Sequence, residues 1–279
     1  MISISTQMEQ IIQPVQLRED EYLEEESKLV YCSKCRTPRQ KRLEVLGKIY
    51  EPRCRCTCQQ AAYEQRERER KQREFLDLVS RNRSVALTDP ELRRHTFEND
   101  LGYNREQMKK AKQFVANWDA FRRKAMGLLF WGYVGTGKSY IAGCIANALL
   151  DKGVPVMMTN FARLLNKLTD MYSGDRNAYI DSFNSFPLLI IDDLGVERNS
   201  EFAREQVFNI IDGRYRSQLP MIVTTNLTVD ELKNPADLAR ARIYDRVLER
   251  CTAIKVNDQN IRKLNMTGNL TRAKQLLGG

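Results

Sequence analysis

From about residue 90 onward, short apolar runs alternate with longer segments whose apolar residues recur at helical spacing. "GLLFWG" predicts a strand leading into a glycine loop, and "SYIAGCIANALLDKG" predicts a helix that stops at Gly153. "VPVMMTN" and "FARLLNKLTDMYS" repeat the strand and helix. "PLLIIDDLG" predicts a buried strand ending in two carboxylates, "SEFAREQVFNIIDGRYRSQ" a helix, and "LPMIVTTN" a fourth strand. "ADLARARIYDRVLERC" adds a helix and "TAIKV" a fifth strand. This alternation predicts an α/β fold, a mostly parallel five-stranded sheet between helices, over residues 91–279.

The first ninety or so residues follow no such pattern. Residues 1–31 form a polar leader whose acidic cluster, "EDEYLEEE", is too poor in apolar residues to fold unaided. Residues 32–60 make a small cysteine-rich module, basic from Lys34 to Arg55. Residues 61–90 predict a charged helical linker, free of glycine until well past its end and carrying opposite charges at i,i+3 and i,i+4. It is either a solvated spacer or a partner-binding helix. Pro90 breaks the pattern, which places the domain boundary there.

Composition narrows the class. The chain has 279 residues and 45 Lys and Arg against 36 Asp and Glu, a net charge of +9 that suits nucleic acid or an acidic protein surface. No apolar run approaches the roughly 20 residues of a membrane span, and the N-terminus lacks the layout of a secretory signal, so a cytoplasmic protein is expected. A single histidine, His95, excludes a multi-histidine metal site and leaves no Ser-His-Asp arrangement that does not use it.

The glycine loop "GYVGTGKS" comprises Gly132, Tyr133, Val134, Gly135, Thr136, Gly137, Lys138 and Ser139, followed by Tyr140. It matches the whole G-x-x-x-x-G-K-[ST] pattern between a strand and a helix, a setting that lets backbone amides cradle phosphates. Lys138 is expected to reach the β- and γ-phosphates of ATP and Ser139 to place its hydroxyl on Mg²⁺. Asp192 is the expected magnesium partner at the end of a neighbouring strand. Asp193 either orients the attacking water or caps the next helix. Asn226, at the tip of "MIVTTN", either holds that water or the γ-phosphate, or simply forms a turn.

Together the glycine loop, "LLIIDD" and "IVTTN" resemble the Walker A, Walker B and sensor-1 elements of AAA+ ATPases. "GLLFWGYVGTGKSYIAGCIANAL", "LLIIDDLG" and "ARIYDRVLER" are similar, more narrowly, to the bacterial helicase loaders of DnaC and DnaI type, with the IstB transposition ATPases related. The resemblance covers roughly residues 95–265. It implies an ATPase that binds ATP or ADP, associates with a hexameric replicative helicase and delivers it onto single-stranded DNA. The alternatives are an IstB-like regulator of transposition, against which the N-terminal cysteines speak, and a helicase-sequestering inhibitor. The family pattern implies that Arg246 completes a neighbouring subunit's site in trans, with Arg242 one turn earlier as assistant, and that Arg262 reads the nucleotide in cis. It also implies self-association through the AAA+ domain and puts Phe97 and Tyr103 near the adenine. Many AAA+ enzymes carry Glu where Asp193 stands, so slow, switch-like hydrolysis is expected.

Five of the seven cysteines fall between residues 32 and 58. Cys32 and Cys35 form a C-x-x-C pair, and Zn²⁺ needs four ligands, so two of Cys54, Cys56 and Cys58 are expected to complete the site. The family-like spacing into "CTCQQ" favours Cys56 and Cys58, leaving Cys54 spare or an alternate ligand. The resemblance implies that this module grips the helicase. Contact with nucleic acid through its basic residues is the competing reading.

Overall fold

A computed structural model of the chain describes residues 16–87, 89–195, 200–235 and 237–277. The first half of the leader, residues 1–15, lies outside the described residues. The chain divides into two units, residues 1–74 and 75–279.

In the first unit two short hairpins flank the cysteines. Strands β1 (Glu21–Leu23) and β2 (Val30–Cys32) pair antiparallel, as do β3 (Leu43–Val45) and β4 (Lys48–Tyr50). The acidic leader folds here because the basic module neutralises it. The Glu21 carboxylate, with its side chain 1% exposed, accepts from Arg39 at 3.0 Å and from Arg53 at 2.6 Å, and Asp20 accepts from Arg39 as well. These bonds and that of the Arg18 amide outweigh the cost of burial and hold Glu21 down at about 2. The long helix α1 (Thr57–Ala86) starts in this unit, laced by pairs of Arg70 with Glu67 and Glu74.

Helix α1 runs on into the second unit, where its last residue, Ala86, and the following Leu87 are fully buried in the core. After α2 (Arg105–Ala116) and α3 (Trp118–Arg123) come the five expected strands: β5 (Gly127–Trp131), β6 (Val156–Asn160), β7 (Leu188–Leu194), β8 (Met221–Thr225) and β9 (Cys251–Lys255). Every pairing is parallel, in the order β6-β7-β8-β5-β9. Alternate residues of one strand enter different cores. Phe130, Ile190 and Ile222 pack with α2 and α4 (Lys138–Asp151), while Leu129, Ile191 and Val223 pack with α5 (Phe161–Thr169), α7 (Glu201–Arg216) and α9 (Leu238–Arg250). Both faces are therefore covered, which explains runs apolar at every position. The helix expected at "FARLLNKLTDMYS" is α5, which ends at Thr169, and a further, unexpected helix, α6 (Ser173–Ser182), follows it. A five-residue α8 (Val229–Lys233) and a terminal α10 (Ile261–Leu276) complete the unit.

A candidate nucleotide site and a candidate metal site

The glycine loop joins β5 to α4, as expected. Gly135 and Gly137 adopt φ of +80° and +98°, the left-handed region, and Gly137 caps α4. A Cβ on Gly135 would lie 2.6 Å from Asn260 Oδ1, so only glycine admits the loop's close approach to the start of α10. That approach is hydrogen-bonded: Ile261 N donates to Gly135 O at 2.9 Å and Asn260 Nδ2 to Val134 O at 3.1 Å.

Lys138 is 5% exposed, and its ammonium donates to Gly132 O, Tyr133 O and Asn226 Oδ1, each at 2.8 Å. Burial pulls its pKa down, Asp193 and Asp192 push it back up, and Arg262 pulls it down again. The lysine therefore sits within electrostatic reach of both aspartates and of Arg262.

The strands next to β5 are β8 and β9, and β8 stands between β5 and β7, so Asp192 and Asp193 lie one strand further away than a directly neighbouring strand would place them. Two threonines bridge the gap. Thr224, fully buried, donates from Oγ1 to Asp192 Oδ1 at 2.5 Å and accepts from the Asp193 amide at 2.9 Å. Thr225 donates to Leu194 O at 2.7 Å. The register jumps from Ile191↔Val223 to Leu194↔Thr225, a bulge in which both aspartates stand opposite Thr224, and Asp193 takes a φ of +60°. Consecutive residues of a regular strand face opposite ways; the bulge re-aims one carboxylate so that both act on one lysine. Burial raises the Asp193 pKa and Asp192 raises it further, against Lys138 and Arg262. The cap of α7 is Ser200, which accepts from Ala203 N, so Asp193 does not serve there.

Lys138, Ser139, Tyr140, Asp193, Asn226 and Arg262 line one cavity of about 600 Å³, a size usual for small-molecule sites. His95, Tyr103 and Asn104 line it too. Sequence reasoning gave His95 no role, yet its ring packs 4.8 Å from that of Tyr140 at the cavity wall. Phe97 packs instead against the core and beneath Lys112, so of the two aromatics expected near the adenine only Tyr103 lines the cavity. Asn104 was missed. It is 5% exposed, its Nδ2 donates to Thr136 O at 2.8 Å, and its Oδ1 is buried without a partner among the described residues. The left-handed glycines, the buried lysine and the cavity fit a nucleoside triphosphate; the Ser139 hydroxyl and the Asp192 carboxylate are hard oxygen donors of the kind Mg²⁺ takes, although Asp192 does not itself line the cavity.

Arg246 lies on α9, where its guanidinium pairs with Asp212 Oδ1 at 2.7 Å, donates to Arg242 O and packs over Phe208. Asp212 Oδ2 is held in turn by Arg216. Arg242 is exposed.

In the first unit, Cys32, Cys35, Cys56 and Cys58 bring their sulfur atoms within 4.8 Å of one another. The Cys32–Cys58 and Cys56–Cys58 separations are 3.7 and 3.3 Å, close to the roughly 3.8 Å edge of a tetrahedron with 2.3 Å zinc–sulfur bonds. Cys54 stays outside, directed at Pro38 O. The Thr37 and Thr57 hydroxyls hold the Cys35 thiol down at about 4, while the adjacent Cys56 and Cys35 sulfurs push Cys58 up to about 12. Four thiolates so close repel one another, and a dication removes the conflict, so the donor set fits zinc. Arg39, 2% exposed, adds a bond from Nη2 to Cys32 Sγ at 3.4 Å.

The chain is similar to the replicative helicase loader DnaC of Escherichia coli strain K12, 27% identical over 143 residues, which make up 50% of this chain and 56% of that protein. It is similar also to the replicative helicase loader DnaI of Bacillus subtilis strain 168, 28% identical over 153 residues, 50% of this chain and 48% of that one. The chain thus spans about half the length of the curated relatives it matches. A crystal structure of DnaI superposes with a TM-score of 0.54 at 26% identity, covering 65% of this chain and 99% of that chain. The family model of the IstB-like ATP binding proteins matches residues 40–268, well over half the chain, and with the phosphate loop, the paired aspartates and the parallel sheet already in view, this chain belongs to that family.

Proposed function

We propose that the chain is an ATP-hydrolysing loader of a replicative helicase, its first unit gripping the helicase and its second switching with nucleotide. The observation that carries the ATPase reading is the convergence of Lys138, Asp193, Asn226 and Arg262 on one cavity beside the glycine loop. Similarity to two helicase loaders supports the choice of substrate. In this reading the loop from Gly132 to Tyr140 wraps the phosphates and Lys138 leaves its carbonyl partners for their oxygens. Ser139 and Asp192 would hold Mg²⁺, which would supply positive charge against the phosphates. Asp193 takes a proton from the attacking water, Asn226 fixes that water, and Arg262 senses the nucleotide. Arg246 acts in trans between subunits that assemble through the second unit, and single-stranded DNA is the track onto which the helicase is delivered. Zinc on Cys32, Cys35, Cys56 and Cys58 supplies the fold of the first unit, which lacks a core large enough to stand alone.

The test is size-exclusion chromatography with light scattering on the chain mixed with the replicative helicase of its own genome, with and without ATP and Mg²⁺. A complex heavier than the helicase supports the reading, and an unwinding assay then separates loading from sequestration. Without a complex in any nucleotide state the reading fails. The family match to IstB-like proteins favours transposition as the second reading, and ATPase stimulation by duplex rather than single-stranded DNA would select it.

A further inference from the structure

All six strand residues of the hairpin of β3 and β4 are exposed. Its pairing of Leu43 with Tyr50 and Val45 with Lys48 extends through the Gln40–Arg53 bridge in the same register. Pleating therefore sorts the side chains onto two faces. One carries the Arg42–Glu51 ion pair at 2.8 Å together with Glu44 and the exposed Ile49. The other presents Leu43, Val45 and Tyr50, exposed by 47, 51 and 52%, with Lys41 near one end and Lys48 near the other. Neither lysine joins an ion pair among the described residues. At the tip Leu46, 99% exposed, holds a φ of +52° ahead of Gly47 at +71°, the conformation of a type I′ turn that Asn-Gly ordinarily fills.

A large apolar residue in a left-handed turn, wholly in water, gains nothing within the described residues, and a two-stranded sheet with an open apolar face is marginal alone. The stem, by contrast, is rigid. Gln40 Oε1 accepts from Val30 N at 2.8 Å, Arg39 N donates to Val30 O and Cys54 N to Arg39 O, each at 2.7 Å, so the hairpin is bolted to the strand that carries Cys32. A rigid mount with an apolar tip and unpaired cations at both ends of one face is a pre-organised docking element.

We infer that this hairpin face is the anchor by which the first unit seats on its protein partner, entering an apolar groove bordered at both ends by carboxylates. The inference rests on the loader reading, which makes the partner the helicase. The central apolar strip fits a protein groove better than a phosphate backbone, which would demand cations where Leu43, Val45 and Leu46 stand.

The experiment measures affinity of the full chain for the helicase by fluorescence anisotropy. Leu46→Asn places the residue the turn prefers while deleting the apolar tip, so the hairpin is retained; Val45→Thr keeps strand propensity; Lys41→Glu with Lys48→Glu reverses the end charges. Zinc content and melting temperature of each variant are measured alongside. Leu46→Asn and Val45→Thr are expected to weaken binding about tenfold or more each, and the double reversal to weaken it and flatten its salt dependence, with zinc unchanged. If both apolar variants bind within about twofold of wild type while Cys32→Ser abolishes binding, the loader reading stands and the hairpin inference is overturned. Loss of single-stranded DNA affinity instead makes the hairpin a nucleic-acid contact, and dissolution of a wild-type dimer by Leu46→Asn makes a second copy its occupant; either overturns the inference. Failure of the wild-type chain to bind helicase removes the loader reading and this inference with it.

Discussion

Lys138 Nζ donates to Asn226 Oδ1 at 2.8 Å, so the lysine of the glycine loop is held from the end of β8. All three of its acceptors are neutral oxygens, and a phosphate oxygen outcompetes them because charge-assisted hydrogen bonds are the stronger. Lys138→Ala is expected to weaken nucleotide binding by about 100-fold, the loss of one or two charged hydrogen bonds at about 1.5–3 kcal/mol each. Fluorescent-nucleotide titration measures this. Asn226→Ala is expected to bind nucleotide within a few-fold of wild type but hydrolyse it about 10- to 100-fold more slowly.

Thr224 serves both aspartates through one hydroxyl. Thr224→Val keeps the buried shape but leaves the Asp193 amide and a lone pair of Asp192 without that partner. It is expected to cost about 1–3 kcal/mol of stability and to lower Mg²⁺-dependent hydrolysis. Thr224→Ser, which restores the hydroxyl, recovers hydrolysis if the hydrogen bonds rather than the methyl group matter.

Burial and then Asp192 raise the Asp193 pKa above the ordinary 3.8. Between that value and the raised one the folded protein keeps a proton that the unfolded chain has released, so stability falls as pH rises through the window. Asp193→Asn removes the penalty and is expected to melt higher than wild type at neutral pH without nucleotide. The same residue, as base, makes hydrolysis fall as pH drops through the raised value, and in the Asn variant that acid limb disappears along with most of the rate. Calorimetry and a pH–rate profile check the two halves.

How far these assignments were visible beforehand depends on where their chemistry resides along the chain. The five strands of the second unit announce themselves because both faces are buried, and Lys138 and Ser139 because the phosphate loop is contiguous. Thr224 gave no signal: its importance comes from a bulge that exists only once β7 and β8 are paired. The strand order placed β8 between β5 and the aspartates, which no local pattern encodes. Asn104 reaches the loop from a distant segment. The three-residue strands of the first unit were invisible because ion pairs to Arg39 and clustered sulfur, rather than periodic apolar residues, hold them.

The cysteines divide by geometry. Elemental analysis is expected to find one equivalent of zinc in the wild type and in Cys54→Ser, and none in Cys35→Ser. Chelation is expected to abolish the melting transition of the first unit and leave that of the second in place.

Arg246 is paired with Asp212 in its own subunit, and Asp212 retains Arg216 when Arg246 leaves. Arg246→Ala is expected to cost about 1 kcal/mol of stability, to leave nucleotide affinity unchanged, and to lower hydrolysis at least about tenfold in the assembled state alone. Rate measured against protein concentration checks it: a defect already complete in dilute monomers contradicts action in trans.

The two hydrogen bonds from Ile261 and the N-cap Asn260 to Gly135 O and Val134 O pin the start of α10 to the phosphate loop, the geometry of a lever with its short arm there. Its sixteen residues span about 24 Å, so a tilt of about 10° at the pinned end carries the far end about 4 Å. A change of one phosphate at the loop, too small to feel across the sheet, would by this geometry be magnified into a displacement that a neighbouring molecule could register.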